Sequence, residues 1–235
     1  MTQTHVVLCG LPRSGSTMLY AMMRASGHDA QFPPREGAAL RMIGEDGNYV
    51  TKRPLDVFEI DRILDSNARG KNIKIVLTLR DPRSIVVSRH ASYPYQPFIG
   101  FDQSLFVEPD WISFTNPGLL DCLRATRVTQ YRADLNVMTV RYEDVVSNAE
   151  EQRFALSRFT GFPFELPFAD FYKSEISSGL DGLSTVCGRS TRVVSLPGRR
   201  RATPPEWSGS FAWPLNCLSP WTRGNTKLIG IGLMN

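Results

Sequence analysis

Short apolar runs alternate with amphipathic stretches over the first two thirds of the chain. Residues 5–9 (HVVLC) form an apolar run closed by Gly10, which is the pattern of a strand buried in a parallel sheet. Residues 16–25 (STMLYAMMRA) then place apolar side chains on one helical face. A short helix is predicted over 37–43, a short strand over 49–52, and an amphipathic helix over 55–67 that stops at the turn residues Asn67 and Gly70. Residues 73–79 (IKIVLTL) are the clearest buried strand. After it, Asp81 reads as an N-cap and Pro82 as the first helical residue, leading into a helix over 84–90. Residues 91–118 follow neither period and are rich in proline and aromatic residues, so they predict a long structured loop or lid. A helix over 119–133, a strand over 136–141 (NVMTVR) and a helix over 149–160 complete the order. From about residue 174 the text turns to Gly, Ser, Pro, Arg and Trp, and no element is predicted there.

Alternation of strand and helix predicts an α/β fold, with a central parallel sheet flanked by helices in three layers and right-handed crossovers. No internal repeat is present, and a single domain over 1–235 is the economical reading. Its irregular parts are the lid-like loop at 91–118 and the C-terminal segment from about 174.

Composition narrows the partners more than the fold. Of 235 residues, 42% are hydrophobic and 21% charged, ordinary values for a globular chain with a sizeable core. Lys and Arg number 27 against 23 Asp and Glu, a net +4 that suits a phosphorylated small molecule and falls short of a nucleic-acid-binding stripe. Cys9, Cys122, Cys187 and Cys217 have wide, irregular spacings, which indicate neither a zinc site nor a disulfide framework. Polar Thr2, Gln3 and Thr4 lead straight into the first strand without a basic segment or a long apolar stretch. The expectation is therefore a cytoplasmic protein with reduced thiols, no membrane partner and no nucleic-acid partner; a homo-oligomer is left open.

The chemistry starts at residues 8–18, LCGLPRSGSTM. Gly10, four intervening residues, Gly15, Ser16 and Thr17 have the spacing of a glycine-rich phosphate loop, but Ser16 stands where a nucleotide kinase carries lysine, and Arg13 lies three residues earlier. Successive N–H groups at a helix start form an anion nest, to which the helix dipole adds roughly half a positive charge. Arg13, Ser14, Gly15, Ser16 and Thr17 are thus candidate donors to a phosphate or sulfate. A kinase would also need an acidic strand end to hold magnesium, and the strand over 73–79 runs into Arg80 instead. Arg80 and Ser88, about two helical turns apart, can form a second phosphate seat. Two separated seats imply a ligand with two phosphate groups.

GLPRSGST followed by LRDPRSIVVS resembles the paired signature of sulfotransferases that use 3′-phosphoadenosine-5′-phosphosulfate (PAPS). The first loop is most similar to those of the tyrosylprotein, carbohydrate and bacterial enzymes. The resemblance implies a phosphate-loop fold and sulfuryl transfer from PAPS to an acceptor hydroxyl on a small molecule, carbohydrate or peptide, with no metal. It implies that Arg13 meets the sulfate and bridging oxygens, that Ser14, Gly15, Ser16 and Thr17 cradle the 5′-phosphosulfate, and that Arg80 and Ser88 hold the 3′-phosphate. Lys52 in YVTKRP resembles the family's lysine at the transferring sulfuryl group; it also reads as a surface lysine. Glu36 in FPPREGAAL resembles the glutamate base of the tyrosylprotein and carbohydrate enzymes, and reads equally as a first-turn acid stabilising a helix from Gly37. His28 and His90 are rival bases. RYEDVVSN, residues 141–148, resembles strand-and-turn text with a structural role. GRSTRVVSLPGRRR resembles the loop that covers the nucleotide, so Arg189, Ser190, Arg192 or the cluster at 199–201 would close over the 3′-phosphate. Residues 210–235 match nothing in the family. Two other functions stay open: a phosphoryl-transferring kinase or NTPase, and a non-catalytic module that binds a bisphosphate nucleotide.

Overall fold

The computed structural model describes residues 2–34, 36–88, 97–99, 101–107, 112–115 and 117–173, with the backbone alone over 97–99, 105–107, 112–115 and 172. All of them fall in one compact unit spanning residues 1–193. No helix among them is long and apolar enough to cross a membrane.

The chain runs β1 (Thr4–Gly10), α1 (Ser16–Ser26), α2 (Ala39–Met42), β2 (Tyr49–Lys52), a 3-10 helix (Pro54–Phe58), α3 (Ile60–Asp65), β3 (Asn72–Leu79) and α4 (Pro82–Val86). There follow β4 (Pro97–Ile99), β5 (Ser104–Val107), β6 (Ile112–Thr115), α5 (Leu119–Gln130), β7 (Asn136–Arg141), α6 (Tyr142–Ser147), α7 (Ala149–Thr160) and a second 3-10 helix (Phe168–Lys173). Strands β2, β1, β3 and β7 pair in that order, all parallel. Side chains alternate across a strand, so β1 sends Val6 and Leu8 to one face and Val7 and Cys9 to the other. Leu19 and Met23 of α1 and Leu156 of α7 pack on the first face; Ala39 of α2, Ile60 and Ile63 of α3 and Ala125 of α5 pack on the second. These are the three layers expected of an α/β chain. Leu8, Leu77 and Leu156 are fully buried, and truncating such a side chain to alanine costs roughly 2–5 kcal/mol.

Parallel pairing fixes where chemistry can gather. The turns after β1, β2, β3 and β7 all leave the carboxyl edge of one sheet, where ligands of open α/β sheets bind.

Four expectations need correction. Residues 91–118, expected as a long structured loop or lid, contain three short strands, β4, β5 and β6, paired in an antiparallel sheet. Strands of three or four residues are too short to show a period, and Pro97 sits on an edge strand, where proline is tolerated. The helix expected over 84–90 stops at Val86, because Ser88 turns its N–H and Oγ–H onto the Ile85 carbonyl at 3.1 and 2.9 Å and closes the turn. The helix expected over 55–67 is split at Glu59, and the 3-10 half carries a fully buried Asp56. Residues 142–147 are helical, the last strand ending at Arg141.

Candidate functional site

Glycine at position 10 lets the first loop leave β1 tight against β3: at φ 121, a Cβ there would stand 2.7 Å from the Thr78 carbonyl oxygen. Arg13 (φ 63) and Gly15 (φ 83) both take left-handed backbone, which for arginine is strained by about 1–3 kcal/mol. None of the N–H groups of residues 13–17 has an acceptor among the described residues. Ser14 Oγ is committed inward, 2.5 Å from the Leu11 carbonyl oxygen and 2.7 Å from Thr78 Oγ1, so its N–H is the group it offers an anion. Ser16 is buried at the start of α1.

The second turn packs directly on the first. Arg80 Nη1 donates to the Arg13 carbonyl at 3.2 Å, and Arg13 Nε donates to Ser88 Oγ at 3.1 Å. Arg13, expected at the sulfuryl end, thus touches Ser88, expected at the 3′-phosphate end. Burial, and then the charge of Arg80, hold the Arg13 guanidinium below its ordinary value. Arg80 Nε is buried with no hydrogen-bond partner among the described residues. A buried, charged donor without an acceptor is costly.

Two residues that govern this region were missed in the sequence. The Tyr142 ring lies against Gly15, where an added Cβ would meet it at 2.4 Å, and the Arg80 guanidinium stacks on the same ring 4.1 Å from its centre. Glu143 Oε1 accepts the Asp81 N–H at 2.9 Å. Burial pushes the Glu143 carboxyl up, but that N–H and the charges of Arg141 and Arg80 outweigh it and hold it below the usual range. RYED was readable as the end of a strand; its signal was the position of that strand beside β3 at the carboxyl edge. Asp81 caps α4 as expected, accepting the Arg83 N–H at 2.9 Å.

On the other side of the glycine loop, β2 delivers Lys52. Its side chain is almost wholly buried, and Nζ donates to Thr17 Oγ1 at 3.0 Å while pairing with Glu36 Oε1 at 3.2 Å. Thr17, Lys52 and Glu36, remote in sequence, are therefore in direct contact, with Glu36 about half exposed. His28 is exposed beyond the far end of α1, 3.9 Å from Glu165, and is not brought to the site. His90, Arg189, Ser190, Arg192 and the cluster at 199–201 lie outside the described residues.

The sequence profile described as the sulfotransferase domain matches residues 3–180. No curated protein matches the chain. Among solved structures, the sulfotransferase domain of the Synechococcus PCC 7002 olefin synthase shares the fold at TM-score 0.51 and 14% identity, covering 84% of this chain and 90% of that one. The sulfotransferase domain from the curacin biosynthetic pathway aligns at TM-score 0.46 and 17% identity over 75% of this chain and 80% of its own. Mouse sulfotransferase SULT7A1 complexed with PAP aligns at 0.47 and 15% over 73% and 63%. With more than half of its length matched by that profile, the chain belongs to the sulfotransferase domain family.

Proposed function

We propose that this chain transfers a sulfuryl group from PAPS to the hydroxyl of an acceptor. The observation that carries the reading is Arg80 Nε, buried without an acceptor among the described residues, beside Arg13 and Ser88 and separate from the N–H nest at the start of α1. These are two seats for anions on one ligand. The donor nucleotide, when bound, supplies a sulfuryl group activated by its phosphate leaving group. The N–H groups of residues 13–17 would hold the 5′ end, and Arg80 and Ser88 the 3′-phosphate. Arg189, Ser190 and Arg192 are proposed to cover that phosphate.

Lys52, fixed on Thr17, would stand where charge develops on the transferring group, with Arg13 as the second cation. Glu36 would take the hydroxyl proton, and its exposed carboxylate is reachable by an incoming acceptor. A phosphoryl-transferring enzyme of this loop type would place lysine at position 16. Isotopically labelled sulfate transferred from PAPS to members of a panel of phenols, sugars and peptides tests the reading. Binding of 3′,5′-adenosine bisphosphate without transfer to any of them would favour the non-catalytic module.

A further inference from the structure

Asp56 exposes none of its side chain, and among the described residues none of its hydrogen bonds or ion pairs reaches the phosphate loops. It lies in the 3-10 helix four residues after Lys52. Its Oδ2 accepts the Ala39 N–H at 2.8 Å, and its Oδ1 accepts Arg53 Nη1 at 3.3 Å. Arg53 in turn donates its backbone N–H to the Leu8 carbonyl at 3.1 Å, which fastens this corner to β1. Ala39 follows Glu36 by three residues. Apart from the Glu36–Lys52 ion pair, the Asp56–Ala39 bond is the one hydrogen bond among the described residues that ties the stretch 36–39 to the segment after β2. A single ion pair whose glutamate end lies half in solvent holds Glu36 only loosely, since the exposed end loses energy to solvent and side-chain entropy. A buried carboxylate receiving a backbone N–H is a far stiffer tether. Burial pushes the Asp56 carboxyl above its usual range, and the Ala39 N–H and Arg53 only partly counter it.

We propose that Asp56 is a positioning residue that holds the Glu36 segment against Lys52, so that base and cation meet the reacting groups in one fixed geometry. The inference rests on the reading of Glu36 and Lys52 given above, and it is tested in two ways on the full chain. The first needs no turnover: acetylation of Lys52 by an N-hydroxysuccinimide ester, followed by mass spectrometry. Asp56→Ala is expected to raise the labelling rate several-fold and Asp56→Asn, which keeps an acceptor for Ala39, by less. A core variant of similar thermal loss, Ile63→Val, is expected to leave it unchanged. The second is kinetic: Asp56→Ala lowers kcat by roughly 10–100-fold and Asp56→Asn by less, while each leaves 3′,5′-adenosine bisphosphate affinity unaltered and adds nothing in a Glu36→Gln background. Unchanged Lys52 labelling in both Asp56 variants, labelling in Ile63→Val that rises as much, or a cost fully additive with Glu36→Gln would overturn the proposal. If the wild-type chain transfers no sulfate, the functional reading fails, while the labelling still decides the role of Asp56.

Discussion

At the phosphate end, Arg80 and Arg13 bond across two loops, Ser88 closes onto Arg13, and the Tyr142 ring sits beneath both Gly15 and Arg80. At the other end, Glu36 is half in solvent and meets a single lysine, with its segment tethered through a carboxylate on a neighbouring turn. Preorganised donors act without rearranging when charge arrives, so a rigid end suits a ligand that is always the same nucleotide. On the proposed function, the looser end is the one that admits the acceptor and takes its proton. The two halves should therefore respond differently to substitution.

The largest effect is expected where rigidity is greatest. Gly15→Ala places a Cβ 2.4 Å from the Tyr142 ring at φ 83, so the ring must move from under Arg80. We expect destabilisation of roughly 1–3 kcal/mol and a loss of bisphosphate-nucleotide affinity beyond about 100-fold, measured by denaturant unfolding and calorimetry. Near-wild-type binding would show that the loop is not held by that contact.

Next comes a change that separates the two ends. Lys52→Ala is expected to lower kcat by roughly 100–1000-fold while leaving nucleotide affinity close to that of the wild type, read from steady-state kinetics beside direct binding. Equal losses in both quantities would mean that Lys52 belongs to the phosphate end.

Which features could be read beforehand follows the same division. The glycine loop, Arg80 and β3 are local: their residues are adjacent in sequence, and uninterrupted burial writes them as apolar runs. Arg13, Lys52 and Glu36 were identifiable one by one, but the ion pair and the Thr17 contact depend on β2 pairing beside β1. Tyr142 was legible only as part of RYEDVVSN, without its ring contacts, and Asp56 had no local signature at all. A tyrosine after a strand and an aspartate in a short helix gain their roles only when the sheet brings β7 beside β3 and folds the Ala39 turn over the residues after β2. Strands β4, β5 and β6 were hidden for a different reason, their shortness.

The smallest effect on nucleotide binding lies at the opposite edge of the sheet, where His5 starts the buried part of β1. Burial, and then the charge of Lys71, lower its imidazole from 6.5 to about 3. The folded chain thus binds fewer protons than the unfolded chain between those values, and stability falls as pH drops through that window, by up to about 1.4 kcal/mol per pH unit. His5→Gln should flatten this slope in denaturant unfolding between pH 6.5 and 4 without altering nucleotide binding. An unchanged slope would assign the acid sensitivity to other groups.

The central claim, a site built for two phosphate groups on one nucleotide, is tested most directly by calorimetry with 3′,5′-adenosine bisphosphate and with ATP–magnesium. The account predicts a clear preference for the bisphosphate, lost by roughly 100-fold when Arg80→Ala is combined with Ser88→Ala. Equal bisphosphate affinity in the wild type and the double variant, or a preference for ATP–magnesium, would contradict it.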